Sequence, residues 1–314
     1  AAKAGVESIN WYASYPSALS RNEERRYRQR WREIAENLAQ VGLNHSFQGL
    51  KTESLAVGQY FQDFENRAYN LVRTTCIDIG GGTADISIWN NHEIVHQCSV
   101  QLAGRNLFTE VLKVKPAFVA RLTGNPGNTG EWEMQRESAF NTKLDLWTRW
   151  NSQDWLRRKR PSTEFDGSDD FRGFITIMAI GVAGLFYYVG QILQALHLEE
   201  KYPREEITPV YLAGNGSQLL HWLDSLGNFE ANSEFNRVLS RMLSCGSGFP
   251  DAEVTTRLSR NPKDESACGL VMQDANLRGL DQPEDYLVAG EAYTFGQTTR
   301  PASGRVQFNP DQDD

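Results

Sequence analysis

Apolar positions along the chain change their period several times, and each change marks a new element. Residues Ser8–Tyr15 alternate apolar and polar (SINWYASY), which predicts a strand ended by Pro16. Ser20 then precedes a stretch with Tyr27, Trp31, Ile34 and Leu38 at helical spacing, and Glu23 stands three residues after it. That is the capping-box pattern, so a helix is expected from there to about Val41, stopped by Gly42. Glu53–Tyr69 reads as a second helix. Strands are expected at Val72–Ile79, Ala84–Trp89 and Ile94–Leu102. An uncharged run at Phe174–Leu196 reads as a buried core helix, and Thr208–Ala213 as one more strand entering a glycine turn. Between them, residues 116–170 are rich in Trp, Asn, Gly and charge, with a turn cluster at Asn125–Asn128. This predicts an inserted subdomain. The Pro-, Gly- and Asp-rich stretch 282–314 reads as a loosely held tail.

Composition narrows the class. The chain has 314 residues, about 40% of them apolar, enough for a real core. Its formal net charge is −8. A phosphate-backbone binder needs a basic footprint, so nucleic acid and anionic membrane surfaces are disfavoured as partners. The interleaved Arg25–Arg32 cluster alternates with Glu23, Glu24, Glu33 and Glu36, the pattern of a solvated helix face. The basic run Arg157–Arg160 reads as a solvated loop. The uncharged run is long enough for a bilayer, but Gln191, Gln194 and three glycines favour a core helix over a membrane span. Cys76, Cys98, Cys245 and Cys268 show no C-x-x-C or zinc spacing, which suits structural thiols in a reducing, cytoplasmic setting. Ala1–Gly5 carries no initiator Met or basic leader, and a fragment of a larger protein is expected.

The chemistry concentrates in two glycine loops. Residues 78–85 read Asp-Ile-Gly-Gly-Gly-Thr-Ala-Asp between two strands. Gly80, Gly81 and Gly82 are free to adopt positive φ and bring bare amides to an anion, and Thr83 adds a hydroxyl. Asp78 and Asp85 would repel a naked phosphate, but a hydrated Mg2+ between them reverses the sign. A plain Gly-rich hairpin is the alternative. The second loop, Val210–Leu219, carries Gly214, Asn215, Gly216 and Ser217 where an apolar strand runs into a helix, a corner that aims helix-start amides at a ligand.

Asp78–Ser87 (DIGGGTADIS) closely resembles the second phosphate motif of the superfamily of actin, the seventy-kilodalton heat-shock chaperones and sugar kinases. Val210–Leu219 is similar to its adenosine motif, with Asn215 where a glycine is usual. Leu102–Phe108 is similar to its strand-to-helix corner, keeping Gly104 but carrying Ala103 in place of the first glycine. Glu53–Gly58 and Pro262–Leu270 resemble the two connecting helices, the second built on Ala267, Cys268 and Gly269. No Asp-x-Gly hairpin precedes Glu53, so the family's first phosphate loop is missing.

The resemblance implies an α/β fold: a ribonuclease-H-like actin-type ATPase lobe with a mixed sheet, flanking helices and the inserted subdomain. Residues 1–70 would be the remainder of a first lobe, 71–115 and 171–260 the second lobe, and 261–281 the second connecting helix. It implies ATP and Mg2+ as cofactors, with Gly80–Thr83 and Gly104 at the phosphates and Gly214–Ser217 at the adenosine. Asp78 and Asp85 would hold the metal and Glu53 the attacking water, although the helix dipole alone explains a glutamate there. With half its phosphate clamp, the chain alone should hydrolyse ATP poorly. A non-catalytic scaffold, self-assembly or partner-binding module of the same fold is the main alternative. A metal-dependent nuclease using Asp78, Asp85 and Glu53 and a small-molecule kinase are others.

Overall fold

A computed structural model of the chain describes residues 6–40, 42–65, 71–109, 112, 116–122, 139, 142–144, 146–147, 150–151, 168–253 and 256–272. The expected tail at 282–314, the turn at 125–128, the basic run at 157–160 and most of the inserted subdomain lie outside these residues.

The first unit is strand–helix–strand. Strand β1 (Ser8–Tyr15) pairs in parallel with β2 (Asn44–Thr52), and helix α1 (Arg21–Ala39) connects them. The capping box forms as expected: Ser20 N donates to Glu23 Oε2 at 2.9 Å, and Glu23 N to Ser20 Oγ at 3.4 Å. On the face where α1 meets the strands, Trp31 stacks on Phe47 at 6.4 Å and tilts against Trp11 at 6.2 Å.

Thr52 ends β2 and caps α2 (Glu53–Asp63), accepting from Leu55 N at 3.2 Å. This helix stops at Asp63 with Phe64 as its cap, short of the expected Tyr69; residues 66–70 lie outside the description. It rests on the second sheet at Gly58, where a Cβ would come within 2.4 Å of the buried Trp89 ring.

The second sheet is mixed, with five strands in the order β5-β4-β3-β6-β7. Strands β3 (Thr74–Ile79), β4 (Ala84–Asn90) and β5 (Glu93–Val100) form an antiparallel meander. Asn91 and His92 both have positive φ, the requirement of a two-residue hairpin turn. A π-helical turn at Arg105–Thr109 and helix α3 (Pro116–Leu122) follow. Helix α4 (Asp169–Leu198) returns the chain to β6 (Val210–Ala213), which joins β3 in parallel. Next come a 3-10 turn at Asn215–Leu219, α5 (Leu220–Leu223), α6 (Glu234–Ser247), β7 (Thr256–Leu258) and α7 (Glu265–Val271). The expected fold class, α/β with a mixed sheet and flanking helices, is the one observed. Helix α6 and strand β7 were not foreseen.

Helix α4 departs from the expectation of full burial. It begins at Asp169, with Asp169 and Asp170 favoured by the dipole in its first turn. Phe174, Met178, Val182, Phe186 and Val189 bury one face in the main core. On the opposite face Ile177 and Ile180 are 51% and 66% exposed. The helix is long and apolar enough to cross a membrane by length and composition alone. Its buried side is closed by α6, and glycines set the distance: a Cβ on Gly190 would lie 2.4 Å from Leu243 O, and one on Gly246 2.0 Å from Tyr187 O.

Helices α2 and α7 cross in the same manner. A Cβ on Gly269 would stand 1.8 Å from Ala56 O. Of the small residues Ala267, Cys268 and Gly269, it is Gly269 that makes this contact, while Ala267 is exposed. Gly269→Ala should therefore lower stability by about 1–3 kcal/mol, despite alanine's better helix propensity, with a drop in the urea midpoint as the readout. An unchanged midpoint would show that the helices separate freely.

Candidate functional site

Strands β3 and β6 run in parallel, with Asp78 opposite Ala213, so both glycine loops leave the sheet at its carboxyl edge. Open α/β sheets bind ligands at such an edge. The contact between the loops is very close. Gly214 has φ 76°, and a Cβ there would meet Asp78 Oδ1 at 2.1 Å and Ile79 O at 2.6 Å. A Cβ on Gly216 would meet Ile79 O at 2.6 Å. Gly104 joins from the third side: its N–H donates to Gly80 O at 3.0 Å, and its Cα faces Gly216. Arg105 N donates to Gly81 O at 2.8 Å. The sequence-singled loops 80–83, 104–105 and 214–217 thus meet at one corner.

One conformational expectation changes: none of Gly80, Gly81 and Gly82 takes positive φ. In the second loop Gly214 takes positive φ (76°), and Asn215 opens the 3-10 turn without it. Gly80 is tightly placed, donating to Thr83 O at 3.0 Å. Gly81 and Gly82 differ from it: both are exposed, and a Cβ on either would meet nothing within 4 Å. Ser217 is fully buried, and its hydroxyl closes its own turn by donating to Gly214 O at 2.7 Å.

The carboxylates fall into two environments. Asp85 is 1% exposed and heavily engaged. Its Oδ1 accepts from Ser17 N at 3.1 Å and from the Ser99 hydroxyl, and Oδ2 accepts from Thr83 Oγ1 at 3.2 Å. Glu53 shares a hydrogen bond with it. Burial pushes the Glu53 carboxyl up, and the charge of Asp85 and their shared hydrogen bond push it further. Burial also raises Asp85, against the pull of its donors. Two such neighbours resist ionising together, so the pair favours sharing one proton. Asp78 is partly exposed at the corner, with Ser266 Oγ donating to its Oδ2 at 3.3 Å. Its carboxyl is pushed up to about 8, first by burial and then by the charges of Glu265, Asp85 and Glu53.

Glu265, Ser266, Ser17 and Ser99 touch these groups and were not expected at the site. Glu265 is 1% exposed, and its carboxylate accepts from Gly214 N at 3.4 Å. A glutamate following Asp264 at the start of a predicted helix was the available signal, and it reads equally well as a dipole partner. Among the described residues no three His, Cys, Asp or Glu side chains form a metal cage. The oxygen donors and surplus negative charge around Asp78 suit a hard cation that keeps its waters.

The class so defined is an α/β chain with a mixed sheet and a two-loop glycine corner. No protein-family model matches the chain, and no curated protein matches it. Solved structures similar to it include ethanolamine utilization protein EutJ from Carboxydothermus hydrogenoformans, at 14% identity and TM-score 0.36, covering 75% of this chain. The chain spans 59% of that structure's length. A putative N-acetylglucosamine kinase from Porphyromonas gingivalis is 10% identical at TM-score 0.40, over 84% of this chain and 77% of its own. Likeness this slight adds nothing to the geometry.

The raised Asp78 has a consequence for stability. The folded chain holds its proton up to about pH 8, while the unfolded chain releases it near 3.8. The resulting stabilisation is full below pH 3.8 and drains as pH rises towards 8. Melting temperature should fall more steeply over that window in the wild type than in Asp78→Asn. Parallel pH profiles for the two proteins would contradict the assignment.

Proposed function

We propose that this corner binds ATP with Mg2+, and that the chain is a nucleotide-binding module with two lobes able to move about it. The observation that carries the reading is Gly81–Gly82. Neither residue needs to be glycine for φ, and neither is crowded by the protein, yet both stand bare at the carboxyl edge beside the partly exposed Asp78. Space kept free of side chains next to backbone amides suits a phosphate. Gly81, Gly82 and Thr83 would face the phosphates, with Gly80 and Gly104 holding the loop behind them. Gly214, Asn215 and Gly216 would lie along the adenosine, with Ser217 fixing their turn. Asp78 would hold the hydrated metal, while Asp85, its oxygens occupied, would act through Thr83 and Glu53. The Mg2+ supplies charge neutralisation for the phosphates when bound. Hydrolysis in the complete protein would need a water placed by Glu53.

The binding of Glu53 to Asp85 favours a second reading, a module that binds nucleotide for assembly or scaffolding without turning it over. A two-metal nuclease lacks the carboxylate cage it needs among the described residues.

Calorimetry with ATP and Mg2+ tests the binding claim. Gly82→Val should fold with little change in melting temperature, because its side chain enters open space. Its ATP affinity should fall by at least about tenfold, equivalent to 1.4 kcal/mol. Asp78→Ala should lose the part of the affinity that depends on Mg2+. Wild-type affinity in both variants would refute the site.

A further inference from the structure

Helix α7 reaches the corner at several points. Its first residue, Glu265, is buried with its carboxylate on the Gly214 amide at 3.4 Å. Its second, Ser266, donates to Asp78 Oδ2 at 3.3 Å. One turn on, Gly269 lies against the backbone of Ala56 in α2, the helix that begins with Glu53. A single short helix thus touches the β6 loop, the β3 carboxylate and the helix that begins with Glu53.

The Gly214–Glu265 contact decides the most. Gly214 is the positive-φ residue on which the loop turns, and a Cβ on it would meet Asp78 Oδ1 at 2.1 Å and Ile79 O at 2.6 Å, so the loop packs here with no room for a side chain. Its position therefore sets how far the loop stands from the phosphate side. An amide with left-handed φ has several orientations open to it, and a buried carboxylate acceptor selects one. Burying a glutamate is costly unless it is hydrogen-bonded. The Ser259 side chain and the Glu265 and Lys263 amides also hydrogen-bond the Glu265 carboxyl, which holds it in place as an acceptor for Gly214.

We propose that Glu265 is the positioning residue of the nucleotide corner: it fixes the Gly214 amide and with it the place of the adenosine loop. This rests on the nucleotide reading above and adds a residue outside both glycine loops. Glu265 touches no ligand in this account. Its effect is on where the loop sits before nucleotide arrives.

The test compares wild type, Glu265→Gln, Glu265→Ala and Glu265→Met by amide hydrogen exchange at Gly214 without nucleotide, and by ATP–Mg2+ titration. Gln keeps an acceptor oxygen, while Met fills the same volume without one, so Met remains informative if Ala fails to fold. Loss of a hydrogen bond to a carboxylate predicts Gly214 exchange faster by about tenfold or more in Ala and Met, with ATP affinity lowered by a similar factor. Gln should stay near wild type in both measurements. A merely structural role would lower melting temperature in Ala and Met but leave affinity unchanged in whatever fraction folds. Wild-type ATP affinity in Met, or unchanged Gly214 exchange, overturns the proposal. No ATP binding by the wild type, with exchange still responding, overturns the nucleotide reading and the functional part of this one, leaving Glu265 a loop anchor.

Discussion

Two parallel strands, β3 and β6, end so close together that no side chain fits between the loops they release. A Cβ on Gly214 would fall 2.1 Å from Asp78 Oδ1, and one on Gly216 2.6 Å from Ile79 O. The rest of the corner follows from that contact. Asp78 is hemmed in at the meeting point, surrounded by other carboxylates, and holds its proton unusually tightly. Gly104 locks the first loop from behind through Gly80 O. The tip of that loop, Gly81–Gly82, is left exposed and empty of side chains.

The first strand–helix–strand unit is tied to the same point by a different route. Asp85 lies at the base of the first loop and accepts the amide of Ser17, 68 residues away. Ala18 N donates to Ser99 Oγ at 3.1 Å, and Ser17 Oγ pairs with Ser54 Oγ at 2.8 Å. Thr52 caps α2 and also donates to Gln97 at 2.7 Å. Buried polar groups that satisfy one another across elements specify one relative placement of those elements. The β1–α1 loop, α2 and the β4–β5 hairpin are held together in this way around Asp85 and Glu53.

Much of this was legible before any coordinates. Local signals carried it: alternation gave β1, β3, β4 and β5, Ser20 and Glu23 gave the start of α1, and glycine runs after apolar strands marked both loops. What stayed hidden depends on distant partners. Glu265 and Gly214 are separated by 51 residues, and nothing near Glu265 in the chain announces its acceptor role. The uncharged run at 174–196 suggested burial on every side, but exposure depends on what covers each face, and Ile177 and Ile180 face outwards. Helix α6 was overlooked because Ser, Asn and Arg break up its apolar stripe of Phe235, Leu239, Met242 and Leu243. Its stop signal, the left-handed Gly248, was present in the sequence. Strand β7 spans three residues, too few for a period to register. The triple glycine lies in the turn between β3 and β4 that was expected, but open space rather than positive φ distinguishes Gly81 and Gly82.

The central claim concerns where a nucleotide touches this chain, and backbone amide chemical shifts answer it residue by residue. On titration with ATP and Mg2+, the account predicts that the largest shifts fall on Gly81, Gly82, Thr83, Gly214, Asn215 and Gly216, with little change on the outer face of α4. Shifts confined to other surfaces, with these six amides unmoved at saturation, would contradict it.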